Sequence, residues 1–361
     1  MPRISFPCFI IYNPSMSPDS ILCSTYSILG YDPHLQEWGV AVQSKAFAVG
    51  AIVPWAQAGV GAIATQAWTN KSFGPRGMSL LKRGYDPRQV IEQLIGKDKL
   101  GAARQLAVMD RQGRAANYTG NQCLAWAGGI AEPYVCVQGN ILAGERVVKQ
   151  MLAAFRKTQG KLAVRLLAAL DAAQRAGGDT RGQQSAALRV VREKSDLDGI
   201  GDVYIDLRVD DHAAPLTELR RLYEIWEREL YPFVEGNRVV ALRREKKYAR
   251  AQKLHRDFSA NAERLARKYP RDAQLLNGLA WQLAQSGLGL DAAYKYARRA
   301  AALEPSNPDI RDTLAEVLYR RGEIARAIEI ERALAAQYPE RDDLEKQLAK
   351  FSRAASAPRR G

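Results

Sequence analysis

The last third of the chain repeats itself. Shifted by 34 residues, the stretch from Gln274 to about Arg341 matches Leu276 with Ile310, Leu283 with Val317, Leu290 with Ile324, Ala293 with Ala327 and Pro305 with Pro339. That period is the length of one helix-turn-helix unit. Ala293 and Ala327 sit where the two helices of a unit must approach closely, and Pro305 and Pro339 follow each second helix, where a ring without an N–H does least harm. Each unit must bury its apolar face on the next, so this stretch is constrained to an all-α stack. Two units alone bury little. A preceding helix, about Glu245 to Lys268, and a closing helix, Asp342 to Phe351, are expected to cap them.

In period, and in part of its residues, this region resembles the tetratricopeptide repeat. It departs from that pattern in lacking a large aromatic on the second helix and in placing Gly287, Leu288 and Gly289 at the first inner turn. The resemblance implies a groove for a peptide or a partner subunit; a packing or dimerisation module is the other reading, and a homo-oligomer stays open. Trp281 lies on an apolar helix face and reads as core. The net charge is +14, and from Ala241 onward 25 basic residues stand against 16 acidic ones, so +9 of the excess lies in the helical tail. Such a surface attracts anions. No base-reading motif and no basic-aromatic interleaving accompany it, so a solubilising helix face is expected rather than nucleic-acid binding.

A chain of 361 residues with 47% apolar content can bury more than one core. Cys8, Cys23, Cys123 and Cys136 form no CxxC pair, so neither a zinc site nor a disulfide framework is signalled, and reduced thiols in a cytoplasmic protein are expected, with a secreted or periplasmic location left open. No apolar run reaches the 18 or so residues of a membrane span. Ile4 to Tyr12 is apolar but broken by Pro7, a poor secretory signal.

Before the tail the texture is that of short strands. Thr25–Gly30, Trp38–Gln43 and Gly59–Trp68 are rich in β-branched and aromatic residues. Asp86-Pro87 has the cap-plus-proline signature of a helix running to Ile95. Arg104–Asp110 and Arg114–Thr119 then form a hairpin, and strand Tyr134–Gln138 follows. Gly144–Arg156 and Leu162–Arg175 carry helical periodicity, strands Ser185–Arg192 and Val203–Val209 come next, and a helix runs from Pro215 to about Leu230. Strands grouped as hairpins, with helices grouped between them, argue for antiparallel α+β layering rather than βαβ crossovers. There is no GxSxG, HExxH, P-loop or EF-hand loop. Gly59-Val60-Gly61-Ala62-Ile63-Ala64 imitates a dinucleotide fingerprint, but no helix pattern opens there, and no cofactor is expected. His34, His212 and His255 are the only histidines, too few and too scattered to suggest a triad.

Several strings then resemble a known family: Thr25-Tyr26-Ser27-Ile28, Trp38 through Lys45, Phe47-Ala48-Val49-Gly50, Val53-Pro54-Trp55, Gly59 through Ala62, Ala64-Thr65-Gln66, Gly74-Pro75-Arg76-Gly77, Gln138-Gly139-Asn140, Gly177 through Ser185 and Asp206 through His212. From about Thr25 to Leu222 the chain is similar to the bacterial family catalogued as domain of unknown function 1028. That resemblance implies the N-terminal-nucleophile hydrolase fold, a four-layer αββα sandwich. In such enzymes a Thr, Ser or Cys at the first position attacks an amide carbonyl while its own α-amine takes the proton. Thr25 is the nucleophile the resemblance offers. An amide nitrogen on Asn140 would stabilise an oxyanion, Lys45 would lower a nucleophile's pKa or hold a carboxylate, Asp179 and Arg181 would orient a substrate or pin their loop, and Thr65 and Gln66 would hydrogen-bond the ligand, a small amide-containing substrate.

The departure is that 24 residues precede Thr25. Either this leader is removed, or the start lies too early, or the domain is a non-catalytic relative acting through its repeats; Cys23 and Ser24 are the alternative nucleophiles. The expected organisation is a leader over 1–24, the αββα domain over 25–235, a linker with capping helix over 236–273, the repeats with closing helix over 274–354 and a disordered tail over 355–361.

Overall fold

A computed structural model describes residues 20–23, 25–197 and 199–356. The chain separates into two compact units, the first running to Tyr223 except for Leu197–Gly199, which group with the second, and the second otherwise beginning at Glu224.

The strands of the first unit are β1 (Ser20–Cys23), β2 (Thr25–Asp32), β3 (Glu37–Ser44), β4 (Pro54–Gln57), β5 (Gly61–Asn70), β6 (Arg104–Asp110), β7 (Ala115–Thr119), β8 (Gly128–Glu132), β9 (Val135–Gly139), β10 (Ser185–Val191) and β11 (Val203–Val209). Its helices are α1 (Phe73–Lys82), α2 (Pro87–Ile95), α3 (Arg146–Lys157) and α4 (Leu162–Arg175), and α5 (Pro215–Glu229) contains the division between units. One sheet runs β1-β5-β6-β7, with β4 also on β5; the other runs β11-β10-β3-β2-β9-β8. The pairings are antiparallel, as the hairpin texture implied.

Strand alternation decides which residues face which layer. Leu29 and Tyr31 of β2, Trp38, Val40 and Val42 of β3, Ala62 and Ala64 of β5, and Ala107 and Met109 of β6 share one core cluster, drawn from both sheets. On the other face of the first sheet, Ile63, Leu106 and Val108 pack against Phe73, Met78 and Leu81 of α1 and Val90, Ile91 and Leu94 of α2. On the other face of the second sheet, Leu162 and Leu166 of α4 and Phe155 of α3 lie against Gly30 of β2. Each sheet is therefore covered on both sides.

Local signals account for most element boundaries. The Asp86 carboxylate accepts from the N–H groups of Arg88 and Gln89, while Gln89 Oε1 accepts from the Asp86 N–H, a reciprocal cap that starts α2. The turn after β2 is held by Asp32 Oδ1, which accepts from His34 and Leu35 N–H at 2.9 and 3.1 Å. Helix α1 has no comparable sequence signal, because Gly74, Pro75 and Gly77 read as breakers. Gly74 is there for contact: a Cβ on it would lie 2.1 Å from the Trp55 ring. The dinucleotide-like glycines open strand β5 rather than a helix.

The second unit contains α6 (Tyr231–Arg244), α7 (Tyr248–Lys268), α8 (Ala273–Ser286), α9 (Leu290–Leu303), α10 (Pro308–Arg320), α11 (Ile324–Gln337) and α12 (Asp342–Ser356). The 34-residue match survives as equivalent burial: Leu276 and Ile310, Leu283 and Val317, and Ala293 and Ala327 are all fully buried. Asp272 caps α8 and Asn307 caps α10. The unusual Gly287 and Gly289 both take left-handed backbone, φ 64° and 71°, closing α8 and opening α9. Phe351 of α12 is buried and stacks on Tyr319 of α10 at 4.6 Å. The helix expected from Glu245 starts three residues later, at Tyr248. Lys246 has φ 59°, with Lys246 N–H bonded to the Arg243 carbonyl and Lys247 N–H to the Leu242 carbonyl, which ends α6 and turns the chain. No helix among the described residues is long and apolar enough to cross a membrane. The N-terminal antiparallel sheets followed by a helical C-terminal part make this an α+β protein.

Candidate functional site

The apolar filling between the sheets gives way to polar side chains at one end. By alternation, the positions that continue the inward faces are Thr25 and Ser27 on β2, Ser44 on β3, Gln66 on β5, Gln105 on β6, and Gln138 with the following Asn140 on β9. All are buried. A buried polar group needs a partner, and these supply one another. Thr25 Oγ1 donates to Ser44 Oγ at 3.2 Å. The Thr25 carbonyl accepts from the Asn140 N–H at 3.0 Å and from Gln66 Nε2 at 3.2 Å. Gln105 is the hub: its Oε1 accepts from Gln66 Nε2 at 2.8 Å and Asn140 Nδ2 at 2.9 Å, and its Nε2 donates to the Gly139 carbonyl at 2.8 Å and Thr119 Oγ1 at 3.0 Å. Ser27 Oγ donates to Gln66 Oε1 at 2.6 Å, and Gln138 Nε2 to the Ala64 carbonyl at 3.1 Å.

The loops at this end form a rim. Asp179 is buried; its carboxylate accepts from the Lys45 N–H at 3.3 Å, from the Arg181 N–H and Nε at 3.0 and 3.1 Å, and from Arg181 Nη2 at 2.7 Å. The Gly177–Gln184 loop is thereby tied to the end of β3. It is tied also to the segment after Asn140, because Thr180 N–H donates to the Ile141 carbonyl at 3.0 Å and Leu142 bridges Asp179. The Lys45 ammonium donates to the Gln183 carbonyl at 3.2 Å.

Thr25, Gln66 and Asn140 thus share one hydrogen-bond network, and Lys45, Asp179 and Arg181 share the adjacent rim. Thr65 stands apart: alternation turns it to the face carrying Ile63, and its hydroxyl donates to the Asn70 carbonyl at 3.3 Å on its own strand. Ser24 lies outside the described residues. Burial pushes the Cys136 thiol up to about 12 and raises the Cys123 thiol, so neither is a thiolate at neutral pH. The histidines have other partners: His34 is in the β2–β3 turn, His212 Nδ1 accepts from the Ala214 N–H, and His255 meets Ser259 on α7.

Gln105 lies outside the strings that resemble the family, and Ser27, Ser44 and Gln138 lie within them without an expected role. Their signal is positional: each is polar at an inward-facing position near the end of an otherwise apolar strand.

The family described as "Family of unknown function (DUF1028)" matches residues 25–219. Among solved structures, the crystal structure of protein SPO2555 from Silicibacter pomeroyi, described with the same family, is 30% identical and matches with a TM-score of 0.52, covering 56% of this chain and 89% of that one. No curated protein matches the chain.

Proposed function

We propose, on the premise that the chain belongs to the DUF1028 family, that its first unit is an N-terminal-nucleophile hydrolase of amide C–N bonds, with Thr25 as nucleophile. The observation that carries this reading is the placement of Thr25: first residue of β2, at the polar end of the inter-sheet space, with its hydroxyl on Ser44 and its carbonyl gripped by Asn140 and Gln66. The shared core between the two sheets, with helices packed on their other faces, supports reading the unit as an αββα sandwich.

The chemistry needs a free α-amine at Thr25. Removal of the leader provides it, with a reference pKa of roughly 7.7 to 8.0 that suits a base near neutral pH. Thr25 Oγ1 adds to the substrate carbonyl carbon and its proton passes to the α-amine. The C–N bond then breaks, and the departing nitrogen takes that proton from the ammonium. Water, deprotonated by the same amine, hydrolyses the ester and releases the acid. An Asn140 amide nitrogen carries two N–H groups; one is held by Gln105 Oε1, and the other serves the oxyanion. Lys45, Asp179 and Arg181 shape the polar rim. In the unprocessed chain Thr25 is fully buried, so cleavage before it precedes turnover.

N-terminal sequencing and intact mass of the purified protein, with a panel of amides, test this reading. A chain starting at Thr25 whose activity Thr25→Ala lowers at least a thousandfold is expected; undiminished hydrolysis by Thr25→Ala would sink it.

A second reading is a non-catalytic assembly protein whose tetratricopeptide-like region recruits a partner. It is favoured by a surface depression of the second unit, lined by Asp291, Tyr294, Lys295, Arg298, Arg299, Ala302 and Arg321, where Tyr294 lies under the Arg321 guanidinium at 4.5 Å, Asp291 pairs with Arg321, and Lys295, Arg298 and Arg299 add further positive charge. An acidic peptide partner fits such a surface. The combined change Lys295→Glu and Arg298→Glu would abolish capture of an acidic peptide while leaving the Tm of the protein unchanged.

A further inference from the structure

The strand that precedes Thr25 belongs to the other sheet. Strand β1 pairs antiparallel with β5, Ser20 opposite Asn70 and Cys23 opposite Ala67, whereas β2 begins two residues after Cys23 in the second sheet between β3 and β9. On that side of β5, β4 covers Gly61–Ala64, and its reach ends with Pro54 opposite Ala64. Among the described residues, coverage resumes at Ala67 with β1, so the two partners divide one edge and the leader strand covers its second half.

The same edge lies beside Thr25. Gln66, next to Ala67 in the chain, donates its side-chain N–H to the Thr25 carbonyl at 3.2 Å. Ala67 itself has φ 64°, a left-handed conformation that a non-glycine residue adopts at a cost, so β5 changes course where the covered edge begins. When the leader leaves, the outward backbone N–H and C=O groups of Ala67–Asn70 lose their ladder. An open run of such groups is a template for another extended chain.

We infer that the β5 edge at Ala67–Asn70 is the substrate-binding strand of the site, and that its substrates are extended peptides whose residues on the N-terminal side of the scissile bond replace β1 in the same antiparallel register. This rests on Thr25 being the nucleophile. The register follows from the chain: in the Ser24–Thr25 bond Ser24 supplies the carbonyl, so a substrate's acyl residue stands in the place of Ser24 and the residues before it in the places of Cys23, Leu22, Ile21 and Ser20. The leader is then the first product and, until it leaves, an inhibitor of the site. Specificity lies mainly in the backbone ladder, so the site demands an extended peptide on the acyl side and accepts a range of amines on the other.

The probe is a synthetic N-acetyl peptide of residues 17–24 with a free carboxylate, added to the mature chain beginning at Thr25. The expected results are competitive inhibition of amide hydrolysis and recovery of hydrogen-exchange protection at Ala67–Asn70, lost when the leader is removed. Single backbone N-methylations along the peptide should alternate in effect, weakening binding at least tenfold at every second position and little between, because an antiparallel ladder uses alternate residues. Ladder protection that is unchanged by loss of the leader, or turnover through Thr25 that saturating peptide does not slow, would overturn the inference and leave the hydrolase reading standing. Restored protection with alternating N-methyl effects in a chain where Thr25→Ala keeps its activity would leave the strand site standing and remove the hydrolase.

Discussion

Replacing Gln105 by leucine tests whether the polar end of the inter-sheet space is a network or a set of independent contacts. Leucine keeps much of the volume and removes both ends of the amide. The Oε1 atom it deletes is the acceptor for Gln66 Nε2 and Asn140 Nδ2, and the Nε2 it deletes is the donor to Gly139 and Thr119. An orphaned buried polar group costs about 1–3 kcal/mol. Gln66 Nε2 retains the Thr25 carbonyl as a partner, so the orphaning falls mainly on Asn140. Added apolar burial returns about 1 kcal/mol. With about 1 kcal/mol each for the bonds also lost at Gln66 Nε2 and at the Gly139 carbonyl, a net loss of ~2–4 kcal/mol is expected, which for a unit of this size corresponds to about 5–15 °C in Tm. Hydrogen exchange of β2, β5, β6 and β9 amides against denaturant reads the first unit without the helical one. Gln138→Leu is the control: its Oε1 has no protein partner, so its loss should be the smaller of the two. If Gln105→Leu unfolds with the wild type, or costs less than Gln138→Leu, the hub reasoning is wrong.

Gly61→Ala should cost about 3 kcal/mol or more, because Gly61 has φ 145° and a Cβ there would lie 2.1 Å from the Met109 carbonyl oxygen, which is backbone and cannot swing away; soluble expression together with Tm checks it, and a wild-type Tm refutes it. Asp179→Ala should free the Gly177–Gln184 loop, seen as at least tenfold faster limited proteolysis there with little change in the β10 amides; an unchanged cleavage pattern would show that the loop does not depend on this carboxylate. In the helical unit, burial, with Asp312, Asp343 and Glu316 nearby, pushes the Glu331 carboxyl up to about 8, and the cations of that region, Arg320 and Lys350, bind Glu316 instead. A carboxyl whose folded pKa is raised holds its proton more tightly when folded, so its contribution is most favourable below the unfolded value near 4.3 and is lost as pH rises towards 8, by up to about 1.4 kcal/mol per pH unit. Glu331→Gln, which is always neutral, should therefore raise the Tm of that unit at pH 8 by several degrees and leave it nearly unchanged at pH 5. A gain independent of pH would rule this out.

Periodicity carries information about elements whose two faces differ, and the elements read correctly are of that kind. Helix α4 spans Leu162–Arg175 and strand β11 spans Val203–Val209, as the sequence implied, because each buries one face and meets clear turn chemistry at both ends. The 34-residue match picks out pairs with identical burial because a stacked helix pair places equivalent residues in equivalent environments. Helix α1 was hidden by glycines placed for close contact, Gly74 with Trp55 and Gly77 with Ile63, rather than for helix propensity, and the break at Lys246 by a left-handed turn made without glycine. Both are cases in which tertiary contact or a local hydrogen bond outweighs intrinsic preference.

The site was legible in part for a related reason. Thr25, Gln66 and Asn140 come from strands remote in sequence, and what brings them together is the register of β2 with β9 and the stacking of the two sheets, with Tyr26 opposite Gly139 and Gln66 opposite Gln105. No spacing rule along the chain encodes that. Inward alternation does: once Ala107 and Met109 face the inter-sheet core, Gln105 must face it too, and a glutamine there demands partners. Its partners Gln66 and Asn140 hold the carbonyl of Thr25, whose preceding segment pairs with the other sheet. A chain that passes from one sheet to the other between Cys23 and Thr25 does so beside a cluster of buried polar groups, the network that fixes the Thr25 carbonyl. Merely filling the space would need none of them, since Leu29, Val40 and Ala64 fill the adjoining part of it without a hydrogen-bonding side chain. The desolvation of so many amides at one end is therefore explained by what they hold in place, namely the backbone at the point where the proposed cleavage creates a free amine.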